Sequence, residues 1–557
     1  MVEMRRFAYI AVALLIVALA GCNPNPTPAP VGSLMVDTKS TVVRLSGGLS
    51  SEKFTFTATQ DWHIETKGRA FEVYPKRGKA SADPQTVTIT ALDKNHSEKT
   101  LHRGSFDICL DKYKNKYSVK VEQCAATERT ILTWFFGTSL SYYFNINIDC
   151  MKLAIANNIL GNDRFLLFAH TSKSEGVIKE LYFDAQANAC VENVIRKVTL
   201  PETLSGAAFG KYLSEMMSIA PAEKYAMIVG GHSTAWLPKT PKSGGGVELS
   251  VGGGYLPDWS PAIGAEVTRN IGESNVRLDI DEFAEGLAAT RTRFDWIYFD
   301  VCFMSSLEAA YELRNHTKYV IGSPCEIMGY GSPFDLLLDD LVANDLDGAC
   351  RTYYDYYNSS YYGSKSGCIA TIVCDELDNL AAKVKALNAS KLSDKLDVFS
   401  VQTYEGRSAH IFFDAEDFVL RGYDDSTLIS EFAEQLDQTV INRYHTEKFY
   451  STYNARMNDI NHYSGVNFTP EDGCVALLRS QLEAMQQDVA AKKAELTELK
   501  NRLEAMGVPP TSSDQYNALY SQVSAAESKV TMMEEQLKEL EYYNTSLQKT
   551  AWYKATH

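Results

Sequence analysis

The chain has 557 residues, of which 45% are hydrophobic, so it is long enough for two to four domains with large cores. Its formal net charge of −16 argues against nucleic acid as a partner, because phosphate binding needs clustered lysine and arginine. Eleven cysteines in this length do not make a disulfide scaffold, and no Cys/His motif has zinc spacing.

The N-terminal segment has the pattern of an export signal. Arg5 and Arg6 precede an apolar run over 8–20 that is too short for a membrane-spanning helix. Its end, Leu-Ala-Gly-Cys22, resembles the bacterial lipobox, in which the chain is cut before the cysteine and the cysteine is acylated. We expect residues 1–21 to be a lipoprotein signal peptide and Cys22 to anchor an exported protein to the bacterial envelope, at the outer membrane or cell surface. The alternative is an ordinary secretory signal with an incidental cysteine.

A stiff proline-rich linker over 22–32 is followed by an all-β region over 33–125. Polar and apolar residues alternate in its short runs, which predicts a β-sandwich. Trp62 after a polar turn, the run 87–91 leading to Asn95, and the closing run 119–123 resemble the BACON domain of secreted bacterial proteins. Trp62 either stacks on a sugar, which would give a glycan contact, or fills the core, as a lone tryptophan more often does.

From Arg129 the pattern changes to buried strands that alternate with helical sequence. The apolar runs lie at 131–136, 165–169, 225–229, 294–299 and 318–322. Such runs predict a mostly parallel sheet covered on both faces. Because active sites lie beyond the carboxyl ends of parallel strands, functional residues are expected just after Val229 and Phe299.

His232 follows the first of these strands and Cys302 follows the second. A thiol is mostly protonated at neutral pH, and an imidazole beside it can take or share its proton. A histidine and a cysteine on neighbouring strand ends therefore suit covalent acyl transfer. The alternative for Cys302 is a plain core residue, since cysteine is among the most buried residue types.

The segment 294–304, which contains Asp300-Val-Cys302-Phe-Met, resembles the nucleophile segment of the clostripain family of cysteine peptidases. The following segments 308–312 and 329–335, and the run His232-Ser-Thr-Ala-Trp236, resemble further motifs of that family. The resemblance implies a caspase-like α/β sandwich over 128–473, with Cys302 as nucleophile and His232 as general base. It also implies that the backbone N–H groups of Cys302 and Ser233 bind the oxyanion. Serine replaces the usual glycine at 233 and lacks its freedom at positive φ.

Asp300 bears on specificity. Residues two apart on a strand point to the same side, so Asp300 is expected beside Cys302. A carboxylate there raises the pKa of the thiol unless a substrate cation pairs with it. The resemblance implies that Asp300 binds the basic side chain before the scissile bond, so the expected substrates are polypeptides cleaved after Arg or Lys. The alternative is a structural carboxylate that accepts N–H bonds at the strand end.

The resemblance further implies self-processing between the two catalytic positions. The segment from Leu237 to about Ser274 is glycine-rich, and the basic residues in and just after it are Lys239, Lys242, Arg269 and Arg277. No cofactor is required by the implied mechanism and no metal ligands are predicted. Calcium is left open, because some relatives need it but the chain has no EF-hand pattern.

Residues 474–541 predict an antiparallel coiled-coil hairpin. Apolar residues repeat at alternating spacings of three and four over 478–506 and again over 516–540, and a Gly/Pro-containing turn separates the two runs. Residues 542–557, which include Trp552, resemble the closing helix of the clostripain family. The hairpin would then be an insertion into the peptidase domain, available to a partner that the sequence does not name.

The main alternative for the whole protein is a catalytically inactive caspase-like lipoprotein that binds glycans or proteins. Ser233 and Ala235, which stand where the family has glycine, favour it.

Overall fold

The structure is a computed structural model that describes residues 34–36, 42–47, 50–93, 95, 102–112, 116–124, 127–238, 271–272, 276–359 and 365–557. The predicted signal peptide, the linker and the lipidation site Cys22 lie outside these residues. So do Lys239, Lys242 and Arg269 of the predicted self-processing segment. In the described ranges, no helix is both long enough and apolar enough to span a membrane.

The N-terminal region is rich in β-strands, as the alternating pattern predicts. Its strands are β1 Leu34–Val36, β2 Val42–Leu45, β3 Ser51–Ala58, β4 Trp62–Lys67, β5 Phe71–Tyr74, β6 Arg77–Gly78, β7 Gln85–Ala91, β8 His102–Leu110 and β9 Lys116–Gln123. They form two sheets of order β1-β3-β7-β5 and β2-β9-β8-β4-β6, whose inward-facing side chains make one core.

Trp62 belongs to this core. Its side chain is 1% exposed, its ring meets that of Phe56 edge-on at 4.8 Å, and its indole N–H donates to Gln85 at 2.9 Å. The interpretation of Trp62 as a sugar-stacking residue is therefore wrong, because the ring presents no face to solvent.

A mixed sheet of nine strands forms the centre of the remaining chain. The strands after β9 are β10 Arg129–Phe135, β11 Arg164–His170, β12 Glu175–Asp184, β13 Ala189–Thr199, β14 Lys224–Gly230, β15 Phe294–Asp300, β16 Thr317–Gly322, β17 Cys368–Val373, β18 Phe413–Asp414, β19 Val440–His445, β20 Lys448–Ser451, β21 Arg456–Asp459 and β22 Asn467–Phe468. The sheet order is β13-β12-β11-β10-β14-β15-β16-β17-β19.

The five middle strands of this sheet, β11, β10, β14, β15 and β16, run parallel to one another. Two further strands lie beyond them at each edge, and each of these pairs antiparallel with the strand before it. The expectation of a mostly parallel sheet thus holds for the centre and is wrong for the edges. The physical reason at one edge is a tight connection: β12 is followed after four residues by β13, too few for the helical crossover that parallel strands need.

Helices cover both faces of the sheet. In the described chain they are α1 Ser141–Ile155, α2 Gly206–Ile219, α3 Ile280–Ala289, α4 Leu307–Leu313, α5 Phe334–Ala343, α6 Leu346–Asn358, α7 Leu377–Asn388, α8 Ala415–Gly422, α9 Ser426–Thr439, α10 Asp472–Ala505, α11 Asp514–Leu547 and α12 Ala551–Thr556. Alternate residues of the central strands enter two separate cores, one beneath α1, α5 and α6 and the other beneath the remaining helices. The middle strands are buried on both faces for this reason.

The two longest helices, α10 and α11, pack against each other in opposite directions. Three contacts define their alignment: Arg479 with Glu541, Gln486 with Glu534, and Lys493 with Glu527. Each contact lies seven residues further along α10 and seven residues back along α11 than the one before it. Seven residues bring a helix back to nearly the same face after two turns, so the same faces stay opposed along the pair.

The helix pair is fixed to the body of the protein at its root. The Gln536 side chain both accepts from the His410 N–H and donates to the His410 carbonyl, each at 2.7 Å. Arg407 pairs with Glu539 at 2.6 Å. α11 runs six residues beyond the predicted hairpin end at 541, and α12 then packs Trp552 against Tyr311 of α4. The chain thus returns to the helix that follows Cys302.

Candidate active site

Two neighbouring parallel strands end side by side at the carboxyl edge of the sheet. Gly230 at the end of β14 is paired in register with Asp300 at the end of β15. His232 lies two residues after Gly230, and Cys302 lies two residues after Asp300. His232, Ser233, Asp300 and Cys302 all line one cavity of about 140 Å³. The structure therefore brings together every predicted site residue except Cys22, which is outside the described chain.

The turn that carries Cys302 is held in an uncommon conformation. Phe303 has a positive φ of 63°, and its ring stacks on Phe412 with centroids 4.6 Å apart. The Asn467 side-chain amide donates to the carbonyls of Phe303, at 3.3 Å, and Pro324, at 2.7 Å. Positive φ in a bulky residue persists only where surrounding contacts enforce it. The stack and the Asn467 bridge supply those contacts and fix the position of the thiol.

Glu308 joins the helix after Cys302 to the loop after His232. Its buried carboxylate accepts from the Ser306 hydroxyl at 2.7 Å and from the Thr469 N–H at 2.6 Å. The Thr469 hydroxyl in turn accepts from the Trp236 indole N–H at 3.2 Å. Burial raises the pKa of Glu308 to about 7, although these donors lower it. One buried carboxyl group therefore links the loop after His232 to the helix after Cys302.

The loop that carries His232 makes a tight turn. The ring Nε2 of His232 lies 3.2 Å from the Ser139 hydroxyl, and the backbone carbonyl of His232 accepts from the Gly272 N–H at 2.9 Å. The Ser233 hydroxyl accepts from the Ala235 N–H at 3.0 Å. Ala235, not Ser233, has the positive φ, at 52°. The conformational cost of replacing glycine at a positive φ therefore applies to Ala235. Ser233 has a backbone conformation that any residue can adopt.

Two backbone N–H groups are left available at the cavity. Within the described chain, neither the N–H of Ser233 nor that of Cys302 donates a hydrogen bond to another residue. Buried backbone donors are nearly always paired, so two such groups beside a thiol and an imidazole are suited to receive an acceptor from a substrate.

Asp300 lies at the base of the cavity and is 7% exposed. The Ser332 hydroxyl donates to its Oδ1 at 2.7 Å, and the Tyr298 hydroxyl donates to Ser332 at 2.7 Å. Gly331 is so close that a Cβ atom there would lie 2.4 Å from Asp300 Oδ2. Burial raises the pKa of Asp300 to about 6, and the hydrogen bonds from Ser332 oppose that rise.

Glu326 brings a second carboxyl group to the same cavity. It accepts from the Thr452 N–H at 2.9 Å and from the Thr452 hydroxyl, and burial raises its pKa. Burial is also the main reason that the pKa of the Cys302 thiol is raised, and Glu326 and Asp300 add to it, while the Ile327 N–H, 3.4 Å from Sγ, opposes it. The surroundings of Cys302 thus favour its thiol over the thiolate.

Comparisons with known proteins bear on this arrangement. A family model described as the clostripain family matches residues 250–557, more than half of the chain. The chain belongs to the clostripain family. The matched range includes Asp300 and Cys302, and His232 lies before it. Among curated proteins, none matches the chain.

Solved structures of clostripain-family proteases resemble the chain over most of their own length. One is a secreted C11 cysteine protease from Bacteroides thetaiotaomicron, called iotapain, with 30% identity and a TM-score of 0.54 over 62% of this chain and 94% of that one. Another is an inactive zymogen C11 protease from Parabacteroides distasonis, with 25% identity and a TM-score of 0.51 over 64% and 96%. A third, also secreted and from B. thetaiotaomicron, was solved with an irreversible peptide inhibitor and has 22% identity and a TM-score of 0.51 over 62% and 93%. The α/β sheet is accordingly the caspase-like fold of clostripain-family cysteine proteases.

Three residues at this clostripain-family site escaped the sequence analysis: Ser139, Glu326 and Asn467. Ser139 follows β10, whose carboxyl end is at the same sheet edge, so the strand-end rule could have pointed to it. Glu326 comes from an irregular segment and Asn467 from the two-residue strand β22, and no periodic pattern marks either of them. Only the folded chain places Glu326 in the cavity and Asn467 at the turn that carries Cys302.

Proposed function

We propose that the protein is an exported, lipid-anchored cysteine endopeptidase that cleaves polypeptides after Arg or Lys with a Cys302–His232 dyad. The observation that carries the proposal is the common cavity of His232 and Cys302 at the paired ends of β14 and β15. Membership of a cysteine protease family gives this pair its chemical meaning.

The reaction proceeds by acyl transfer. His232 takes the thiol proton of Cys302, and the sulfur attacks the carbonyl carbon of the scissile peptide bond. The resulting oxyanion accepts hydrogen bonds from the N–H groups of Cys302 and Ser233, each worth about 10²–10³ in kcat. His232 then gives its proton to the leaving amine, and the C–N bond breaks. Water, activated by His232, hydrolyses the thioester and restores the thiol.

Two carboxyl groups support the preference for a basic side chain. Asp300 and Glu326 line the cavity that holds the nucleophile, and no arginine or lysine is among its described lining residues. A cation bound there would pair with Asp300 and offset the charge that raises the pKa of Cys302. Buried carboxylates without a positive partner are costly, so a substrate Arg or Lys is the group that the cavity is built to receive.

The location of the enzyme follows from its N-terminus. We assign residues 1–21 to a lipoprotein signal, Cys22 to acylation and 22–32 to a spacer. The related iotapain is a secreted protease, which agrees with export. In this proposal, the BACON-like spacer domain spans 33–125, and the peptidase domain spans 128–473 together with 542–557. The remaining segment, 474–541, is a coiled-coil arm that a partner can bind.

Activation by self-cleavage is part of the proposal. A solved relative is an inactive zymogen, and this chain has a glycine-rich stretch with basic residues between His232 and Cys302. Wild-type protein should run as two fragments on a denaturing gel, while Cys302→Ala runs as one. An unbroken band from fully active enzyme would contradict self-cleavage and leave the peptidase assignment standing.

The central experiment is turnover of fluorogenic peptides that differ only in the residue before the scissile bond. The assay uses protein without residues 1–22. The proposed mechanism requires no cofactor, but some relatives need calcium, so turnover is measured both with and without it. We expect cleavage after Arg and Lys, and a loss of about 10⁴-fold or more in kcat in Cys302→Ala. Cys190→Ala, which removes a half-buried thiol on β13, is the matched control and should keep full activity.

Asp300→Asn separates specificity from catalysis. Loss of one partner of a buried charge pair costs about 2–5 kcal/mol, so kcat/KM for Arg and Lys peptides should fall about 30-fold or more. Alkylation of Cys302 by a small uncharged reagent should persist. Unchanged preference in Asp300→Asn would refute the role of Asp300. No turnover by wild type, even after limited proteolysis, would favour an inactive caspase-like binding protein.

A further inference from the structure

A cluster of chemically distinct side chains lies on the outer face of the N-terminal five-stranded sheet. β4 and β8 are antiparallel neighbours in which His63 pairs with Cys109. Glu65 lies two residues after His63 on β4 and so points to the same side, and Asp111, just beyond the end of β8, is brought to that side by its contact with His63. The intervening residues, such as Ile64 and Leu110, enter the core. The cluster is therefore separate from the peptidase site.

The side chains converge on a small volume. His63 Nδ1 lies 2.5 Å from Asp111 Oδ1, and His63 Nε2 lies 3.7 Å from Glu65 Oε1. One ligand atom from each of His63, Glu65 and Cys109 lies within 4.8 Å of the other two. Two ligands bound at about 2.1 Å to a tetrahedral zinc lie about 3.4 Å apart. The 3.7 Å between His63 and Glu65 is close to this spacing, and Cys109 lies within 4.8 Å of both residues' ligand atoms.

Asp111 orients the ring of His63. An ionised carboxylate can only accept, so Nδ1 donates to Asp111, and Nε2 is the ring nitrogen that faces Glu65. Metal-binding histidines almost always donate their other ring N–H to such an outer partner. A ring nitrogen, a carboxylate and a thiol that face one another are three groups that one metal cation can bind together.

The nearby lysines do not provide that cation. Lys67 and Lys116 both pair with Asp107, at 3.0 and 2.8 Å. Asp107 points to the same face as the cluster, since it lies two residues before Cys109, and it draws both ammonium groups to itself. Neither lysine pairs with Glu65, whose carboxylate faces His63 and Cys109.

We propose that His63, Glu65 and Cys109 bind a zinc ion, with Asp111 as the outer partner of His63. Imidazole nitrogen, thiolate sulfur and carboxylate oxygen are the three ligand types that zinc takes in proteins. The side chains of His63 and Glu65 are 36% and 57% exposed, so the fourth position is open to water. The ion ties β4 to β8 through side chains on the solvent face of the sheet.

Cobalt(II) titration of the full chain tests the site, because cobalt replaces zinc and a thiolate ligand gives an intense charge-transfer band in the near ultraviolet. The parent protein carries Cys302→Ala, which removes the catalytic thiol as a competing ligand. We expect one equivalent of cobalt, a thiolate band, and its loss on addition of zinc. Asp111→Asn should weaken binding by about 10–100-fold and leave the band in place at saturation.

Three further variants decide the outcome in the same parent. Cys109→Ser and His63→Ala should abolish the band, while Cys150→Ser, a half-buried thiol on α1, should keep it. Circular dichroism of each variant confirms that it is folded. A parent protein without the band, or a band that survives in folded Cys109→Ser or His63→Ala, would overturn the proposal.

Discussion

Gly331→Ala tests whether the carboxylate of Asp300 selects the substrate, without removing its charge. Gly331 has a φ of 64°, and an added Cβ would lie 2.4 Å from Asp300 Oδ2 and 3.1 Å from Oδ1. An ordinary carbon–oxygen contact is longer by about 1 Å. The carboxylate must therefore move by about that distance, away from the position in which Ser332 holds it.

The expected loss can be worked out from this displacement. A misplacement of about 1 Å in a positioning group can cost about 10²-fold in rate, so kcat/KM for Arg and Lys peptides should fall about 100-fold. The positive φ adds a stability penalty of about 1–2 kcal/mol for any residue with a Cβ. Peptide turnover and urea unfolding measure the two effects separately.

Gly507→Ala is the matched control for Gly331→Ala. Gly507 has a similar φ of 71°, in the turn between α10 and α11, but nothing lies within 4 Å of its added Cβ. It should lower the free energy of unfolding by the same φ penalty and leave kcat/KM unchanged. Full Arg and Lys cleavage by Gly331→Ala would refute the reasoning, because the carboxylate would then not be the contact that selects the substrate.

Three further predictions concern titratable groups near the site. Because Asp300 must be ionised to bind a cation and its pKa is about 6, kcat/KM for Arg peptides should rise with pH through about 6, and this limb should vanish in Asp300→Asn. Glu326→Gln should speed alkylation of Cys302 at neutral pH, since it removes a charge that raises the thiol pKa; an unchanged rate would contradict this. The folded pKa of Glu308, about 7, exceeds the unfolded value of about 4.3, so its stabilisation is complete below pH 4.3 and is lost as pH rises through 7. Between pH 4 and 8, the free energy of unfolding of wild type should therefore fall by about 3 kcal/mol more than that of Glu308→Gln. Urea unfolding of both proteins at the two pH values measures the difference.

The parts of the fold that follow from sequence are those buried on both faces. β10, β11, β14, β15 and β16 are continuous apolar runs, because residues of both orientations enter a core, and each was placed to within one or two residues. β12 and β13 mix polar and apolar residues: β12 is mostly buried but includes Lys179 and the fully buried Glu180, and β13 is largely half-buried or exposed. Their pattern does not separate them from loops, and they were missed.

The residues of the site likewise fall into those that a strand pattern predicts and those that it does not. The positions of Asp300 and Cys302 follow from strand alternation, and that of His232 follows from the strand-end rule. Glu326 reaches the cavity, and Asn467 reaches the carbonyl of Phe303, through long-range packing that leaves no periodic mark in the sequence. The pairing of His63 with Cys109 depends on strand register, and residues 46 positions apart give no zinc motif to recognise.

The spacing of contacts along α10 and α11 makes the arm adjustable in length. Arg479, Gln486 and Lys493 meet their partners at intervals of seven residues, while the root contacts of Gln536 and Glu539 lie near the body. Removal of seven residues from each helix beyond the root would keep every remaining pair in phase and shorten the arm by about 10 Å. A series of such deletions gives helix pairs of graded length with an unchanged root, and so separates what depends on the length of the pair from what depends on its contacts with the body.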